Sequence, residues 1–295
     1  MALRHSERLH RLRAMNNADD SLVTLPLDAL RQWHTGLQQA LTHVDGLEAL
    51  THLAAALGHL VPVQSLMISL ERKDKPPQLL YQHGIPERSH DWMINRYFSG
   101  GYLLDPFCLA VEGGLAEGFY HLTEIAPDDF FSSEYYKIYY LEIGCAEDSY
   151  YIVNLDSRSK ISVSLFQGMG AQNLEPEQLN LLRSVQPMVR EVLVQFGHHW
   201  LQQSAAGDAA AEHDHAMLSQ RIQVAFNNFG CDLLTDRERE VAHMVLRGHS
   251  VKSAAYELTI SPETVRMHRK NLYLKLGVNT QAELFAQFID WLAQG

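Results

Sequence analysis

Cysteine is nearly absent: Cys108, Cys145 and Cys231 are the only three in 295 residues, widely spaced and without a CxxC pair. That excludes a disulfide framework and a cysteine-based zinc site, and leaves buried thiols as their expected role. No apolar run approaches the roughly eighteen residues that span a bilayer, and the N-terminus, with Arg4, Arg8, Arg11 and Arg13, lacks the apolar stretch of a secretory signal. The chain is therefore expected to stay in the cytoplasm. A nucleophile elbow, a P-loop, a dinucleotide glycine motif and a metal-spaced ligand cluster are all missing, so no enzyme chemistry, cofactor or metal is expected. The close histidine pairs His198-His199 and His213-x-His215 read as surface residues. Phosphorelay control is excluded as well, because the first strand-like run, SLMISLERKDK, carries no acidic pair of a phosphoacceptor site.

What is present is ordinary globular composition, 46% hydrophobic and 20% charged, in a chain long enough for two domains. Net charge is -11 and unevenly spread. From Cys231 onward eight Lys/Arg balance eight Asp/Glu, so the preceding residues hold the whole acidic excess. An acidic body joined to a neutral tail with one basic helix suits a protein whose DNA contact is confined to a single element. The stretch QQSAAGDAAAEHDHA, residues 202–216, is small, polar and aperiodic and reads as a linker. It separates an N-terminal part, residues 1–201, from a C-terminal part, residues 217–295, which the features below lead one to expect as a ligand-sensing and dimerisation domain and a DNA-binding domain.

In the N-terminal part, helical spacing over Leu27–Leu60, broken near Asp45-Gly46, predicts two amphipathic helices. The runs 65–71 and 78–83 predict a strand pair, as do 150–156 and 161–167, with helices near 89–98, 132–143 and 176–199. Helices flanking an antiparallel sheet make an α+β fold of the GAF/PAS kind the expected architecture. The C-terminal part is all-α. Thr235 and Glu238 form a capping box, Ser261-Pro262-Glu263 opens a later helix with cap, proline and acid, and Thr280-x-x-Glu283 opens the last. From Thr264 to Val278 there is no acid and four Lys/Arg, the composition of a recognition helix.

These landmarks, T-x-R-E-R-E from Thr235, S-x-x-T-V-x-x-H from Ser261 and K-L-G-V from Lys275, make residues 233–292 resemble the LuxR-type helix-turn-helix, a four-helix DNA-binding domain. The resemblance implies that Arg266, Met267 and Lys270 face bases or nearby phosphates, that Arg269 adds phosphate-neutralising charge, and that Thr264, Val265, His268 and Asn271 position the helix. Val265 and His268 fit core and contact roles equally. In the preceding helix only Lys252 and Ala255 keep the family pattern, so Lys252 is the phosphate contact expected there.

The N-terminal domain resembles LuxR-family autoinducer-binding domains in one segment. Trp92 and Asp105-Pro106 keep the family's thirteen-residue spacing, while position 96 is Arg with Tyr97 beside it, and Tyr120 stands at the second pocket tryptophan. Residues 126–151 crowd tyrosines, phenylalanines and carboxylates, which suits a cationic amine through cation–π attraction and ion pairing. Candidate pocket residues are Trp92, Tyr97, Tyr102, Asp105, Tyr120, Tyr136 and Tyr140. The expected partners are double-stranded promoter DNA, a small-molecule effector that is an amine or an acyl lactone, and a second copy of the chain, with no membrane. The alternative is a protein-interaction module with no ligand.

Overall fold

The computed structural model describes residues 23–72, 75, 77–98, 100–142, 144–168, 173–207, 224 and 226–294. Two helices, α1 (Leu27–Thr42) and α2 (Glu48–Leu60), come first and pack antiparallel across Gly36. A Cβ at Gly36 would lie 2.7 Å from the Ala56 Cβ, so glycine sets how closely these helices approach. Strands β1 (Ser65–Arg72) and β2 (Gln78–His83) follow as a hairpin, and β3 (Gly118–His121), β4 (Cys145–Asn154) and β5 (Ser159–Gly168) complete an antiparallel sheet in the order β2-β1-β5-β4-β3. This is the antiparallel sheet with flanking helices that the chain's periodicity led us to expect.

The sheet divides its side chains by the two-residue period of a strand. Leu66, Ile68 and Leu70 of β1, Tyr151 and Val153 of β4, and Ile161, Val163 and Leu165 of β5 are buried against α1, α2 and the long helix α6 (Pro176–Gly207). Met67, Tyr150, Ile152 and Phe166 point to the opposite face, which also carries Ser69 and Ser162, hydrogen-bonded at 2.9 Å. Over that second face run short elements: α3 (Pro106–Glu112), α4 (Leu122–Ile125), and α5 (Glu134–Tyr136), which continues as a π-helical turn over Lys137–Leu141. A second π-helical turn spans Asp91–Arg96 where a regular helix was expected.

Strand β3 has no counterpart in the sequence reading, since four residues, GFYH, are too few to show a period. Tertiary pairing with β4 makes it a strand, and two ion pairs clamp its surroundings to α6: Arg190–Glu117 and Arg183–Glu124, both at 2.8 Å. Helix α6 itself runs to Gly207, so residues 202–207 end a helix instead of beginning a linker. Gln202, Gln203, Ala205 and Ala206 are good helix formers with nothing to stop them. Residues 208–216 of the expected linker lie outside the described residues.

The C-terminal domain is α7 (Asp236–Leu246), α8 (Val251–Leu258), α9 (Pro262–Leu276) and α10 (Gln281–Gln294). Val241, Ala242 and Val245 of α7, Ala254, Ala255 and Leu258 of α8, Val265 and Leu272 of α9, and Leu284, Phe285 and Phe288 of α10 form its core. The three caps expected from sequence, Thr235, Ser261 and Thr280, are formed, and Ser250 adds a fourth that the sequence reading did not include. Glu238 Nα and Thr235 Oγ1 close the box on α7, Ser250 and Ser261 hydroxyls accept from Ser253 and Thr264 amides, and Thr280 accepts from Glu283 at 3.1 Å.

Candidate DNA-binding surface and sensor cavity

The turn between α8 and α9 passes through Thr259 at φ 57°, the one described non-glycine residue in the left-handed region. This sharp reversal sets α8 and α9 as a helix-turn-helix, with Gly277 at φ 68° ending α9. Along α9 the solvent face is Glu263, Arg266, Met267, Lys270 and Leu274, and Met267 is 51% exposed. Arg266 is held only by the exposed Glu263 at 3.1 Å. Thr264, His268, Arg269 and Asn271 are half-buried, and Arg269 leans on Tyr273, with its guanidinium carbon 5.3 Å from the ring centre. Val265, 1% exposed, belongs to the core and cannot reach a groove: its place in the helical repeat points it at α7. Lys252 on α8 is exposed.

The presentation of α9 depends on Glu238. Its carboxylate, 4% exposed, accepts from Lys275 Nζ at 2.6 Å and from the Thr235 amide at 2.9 Å, tying the end of α9 to the start of α7. Lys275 and then the Thr235 amide pull this carboxyl down to about 2. Thus one of the four cations of the basic stretch is structural. His243 stacks on Phe226 at 4.6 Å, and burial, with Arg247 beside it, pushes its imidazole down to about 4.

In the N-terminal domain a cavity of about 30 Å³ lies between the second sheet face and the segments above it. Met67, Met93 and Phe166 supply apolar wall; Tyr97, Tyr135, Tyr139 and Tyr140 supply aromatic wall; Ser164, Asp105 and Asp148 supply the polar atoms. Asp105 caps α3: its Oδ1 accepts from the Phe107 and Cys108 amides at 2.7 and 3.3 Å, and its Oδ2 accepts from the Tyr97 hydroxyl at 3.0 Å. Burial nonetheless pushes Asp105 up to about 6. Asp148 is 2% exposed, and its Oδ1 finds no hydrogen-bond partner. Burial, and then the neighbouring Asp105 charge, raise its carboxyl well above the usual range.

Of the pocket residues expected from sequence, Tyr97, Asp105 and Tyr140 line this cavity. Tyr102, Tyr120 and Tyr136 are buried but stand outside the lining: Tyr120 donates to the Ala116 carbonyl at 3.1 Å and Tyr136 to the Ala146 carbonyl at 3.0 Å. The backbone of Trp92 lies in the π-helical turn, and its side chain lies outside the described residues. Tyr135, Tyr139 and Asp148 belong to the aromatic and acidic segment 126–151 but not to the named candidates, and Ser164 had no place in the sequence reading of the pocket. For Asp148 and Ser164 a signal existed, because they occupy alternate positions of β4 and β5 on the face away from the apolar runs.

The two domains meet where Glu134–Tyr136 packs on α10 and at a seam before α8. The Asp128 carboxylate accepts from the Ser250 amide at 3.1 Å and the Ser250 hydroxyl at 2.7 Å, at the start of α8, and the Asp129 amide donates to the Gly248 carbonyl at 3.1 Å. Gly248 is at φ 81°, and a Cβ there would lie 2.7 Å from the Phe130 Cα, so only glycine fits both the turn and the contact. Phe130 is fully buried and meets the rings of Tyr135, Tyr136 and Tyr140 at centroid distances of 6.0, 5.6 and 5.8 Å. Two of those tyrosines line the cavity.

The buried groups make the two domains respond to pH in opposite senses. His243 and Glu238 bind protons less readily folded than unfolded, so the helical domain loses stability as pH falls from 6.5 through about 4, and then from 4.5 through about 2. Asp105 binds its proton more readily folded, so the stability it contributes is full below 3.8 and is lost as pH rises through about 6. Amide exchange corrected for intrinsic rates is expected to show protection falling at Val241 and rising at Tyr151 between pH 7 and pH 5; parallel changes would contradict this.

Among the described residues no helix is long and apolar enough to cross a membrane. The sequence model described as "Bacterial regulatory proteins, luxR family" matches residues 232–287, which span α7, α8, α9 and the start of α10. The HTH-type transcriptional regulator in the exeN 3' region of Aeromonas salmonicida is 33% identical over 191 residues, covering 64% of this chain and 94% of that protein. The transcriptional regulatory protein UhpA of Escherichia coli is 49% identical over 59 residues, 20% of this chain and 30% of UhpA. Among solved structures, the VqsR LBD domain of Pseudomonas aeruginosa matches with a TM-score of 0.49 and 29% identity over 57% of this chain and 97% of that one, a likeness too loose to carry over any property. With the helix-turn-helix built as described and a relative matched over nearly its full length, this chain belongs to the LuxR family of bacterial transcriptional regulators.

Proposed function

We propose that this regulator binds promoter DNA sequence-specifically as a dimer through α9, under the control of a small molecule held in the N-terminal cavity. The observation that carries the reading is the seam: the aromatic wall of the cavity ends in Phe130, whose backbone rests on Gly248, one turn from the start of α8. A ligand that shifts Tyr135 or Tyr140 moves Phe130, and Phe130 cannot move without disturbing the docking of the helix-turn-helix. Packed contacts of this kind are bistable more readily than they are elastic, so small displacements release or fix a domain.

On the DNA side, Arg266, Met267 and Lys270 are the residues placed to meet base edges, with Lys252 and Arg269 toward phosphates and Thr264, His268 and Asn271 supporting the helix. A two-fold site needs two such helices about 34 Å apart, so the geometry of a dimer is itself a switch. Leu27 and Leu30 on α1 and Met188 on α6, at 61%, 39% and 41% exposure, give a second copy apolar surface to cover. Light scattering is expected to find two chains per complex on DNA; one chain per complex would defeat the dimeric reading.

The start of a helix is an anion site, and at α8 the Asp128 carboxylate occupies the place a DNA phosphate would take. Burial pushes the Asp128 carboxyl up, but the Ser250 hydroxyl and amide more than offset this and hold it low, so it stays ionised at neutral pH. Asp128→Ala is therefore expected to raise affinity for a selected promoter fragment by on the order of 5- to 10-fold in a titrated gel shift, the usual range of a coupling contact. Unchanged affinity would show that the seam does not control DNA binding.

A further inference from the structure

We propose that the ligand of the N-terminal cavity is a small organic ammonium, its charged head bound by Asp148 with Asp105 as the second carboxylate and the faces of Tyr135, Tyr139 and Tyr140 around it. The proposal rests on the reading of this domain as a sensor and names the ligand class. Three observations carry it. First, Asp148 Oδ1 is a buried acceptor without a donor, in a residue 2% exposed that lines the cavity. Leaving a buried acceptor unsatisfied is costly, so such a group is a standing demand for an N–H. Asp105 makes no such demand, because two amides and the Tyr97 hydroxyl already satisfy it.

Second, the charge is one-sided. Two carboxylates line the cavity, and among the described lining residues there is no Lys, Arg or His. An anionic ligand would meet two carboxyl groups and no cation, whereas an ammonium favours the ionised form of Asp148 that burial and Asp105 otherwise oppose, and brings up to three donors. Third, apart from the two carboxyl groups and the Ser164 hydroxyl, the walls are four tyrosine rings, Phe166 and two methionines. Tyr135 and Tyr139 stack at 4.7 Å, and Tyr136 backs Tyr140 at 5.2 Å, which fixes the rings whose faces attract a cation. A volume of about 30 Å³ has room for about two water-sized groups, an ammonium head and one carbon, with a further carbon pressing on the flexible side chains of Met67 and Met93.

The experiment uses the full-length chain and four probes at equal concentration: ethylammonium chloride, potassium chloride, propan-1-ol and N-hexanoyl homoserine lactone. Titration calorimetry is expected to detect ethylammonium binding to the unaltered protein and none of the potassium salt or the alcohol. The unfolding temperature should rise with ethylammonium concentration as mass action requires. Asp148→Asn, which keeps the shape and removes the charge, is expected to weaken ethylammonium at least 10-fold. Because the calorimetry on the unaltered chain decides the ligand class by itself, the test survives a failure of that variant to fold. Equal response to propan-1-ol, or no ethylammonium binding, overturns the proposal. If the lactone binds while ethylammonium does not, the ammonium assignment falls and the sensor reading stands; if no probe binds, both lose their support.

Discussion

Replacing Arg266 and Lys270 together by alanine is expected to abolish retardation of a promoter fragment and to leave the unfolding transition where it was. Both side chains are exposed on the solvent face of α9. Each base-edge or phosphate contact of this type contributes about 1–3 kcal/mol, so losing two weakens binding by at least about 30-fold and, at the upper end, by about 20,000-fold. The cost to stability is much smaller. Arg266 loses only its exposed bond to Glu263, a same-helix pair in open solvent that adds little to stability. The salt dependence of the single variants separates the two roles: a residue that only meets phosphate lowers the slope of log affinity against log salt by about one and weakens all sequences alike. Undiminished retardation by the double variant, with the circular dichroism of the native chain, would remove α9 from the DNA interface.

Phe130→Ala is expected to have the largest effect on stability, and an effect on regulation beyond it. The ring is fully buried and touches three tyrosine rings, so its removal should lower unfolding stability by about 3–5 kcal/mol, read as a shift in the urea midpoint at unchanged slope. The same ring lies between the cavity tyrosines and the Gly248 turn, so its loss should weaken the dependence of the helix-turn-helix on whatever occupies the cavity, leaving the packing of Glu134–Tyr136 on α10 as the remaining link. Phe130→Leu keeps apolar volume and should recover most of the stability, while edge contacts with the tyrosines are lost. Wild-type coupling of ligand to DNA affinity in a stable Phe130→Leu protein would show that the signal takes another path.

The parts of this protein governed by local chemistry were legible in its sequence. Thr235, Ser261 and Thr280 cap helices because a hydroxyl beside three bare amides forms the same bond in any context, and the alternation of β1 and β5 follows from the pleat. The basic face of α9 could likewise be read from residue order at 3.6 per turn. Val265 could not be assigned, because a position at the edge of a helical stripe is core or contact according to where the neighbouring helix lies.

Tertiary structure alone decided the remainder. Strand β3 exists because β4 pairs with it. Asp148 looks from sequence like one acid among many between Ala126 and Tyr151, and only the fold removes every donor from its Oδ1. The same applies to the seam. Asp128 and Ser250 are 122 residues apart, and nothing local couples a loop acid to a helix start so distant. The sequence determined that a neutral helical domain with one basic helix follows an acidic α+β one. That the two are docked through Phe130, and not merely tethered, was decided by which surfaces fit, because long-range contact depends on shape and burial that no single segment encodes.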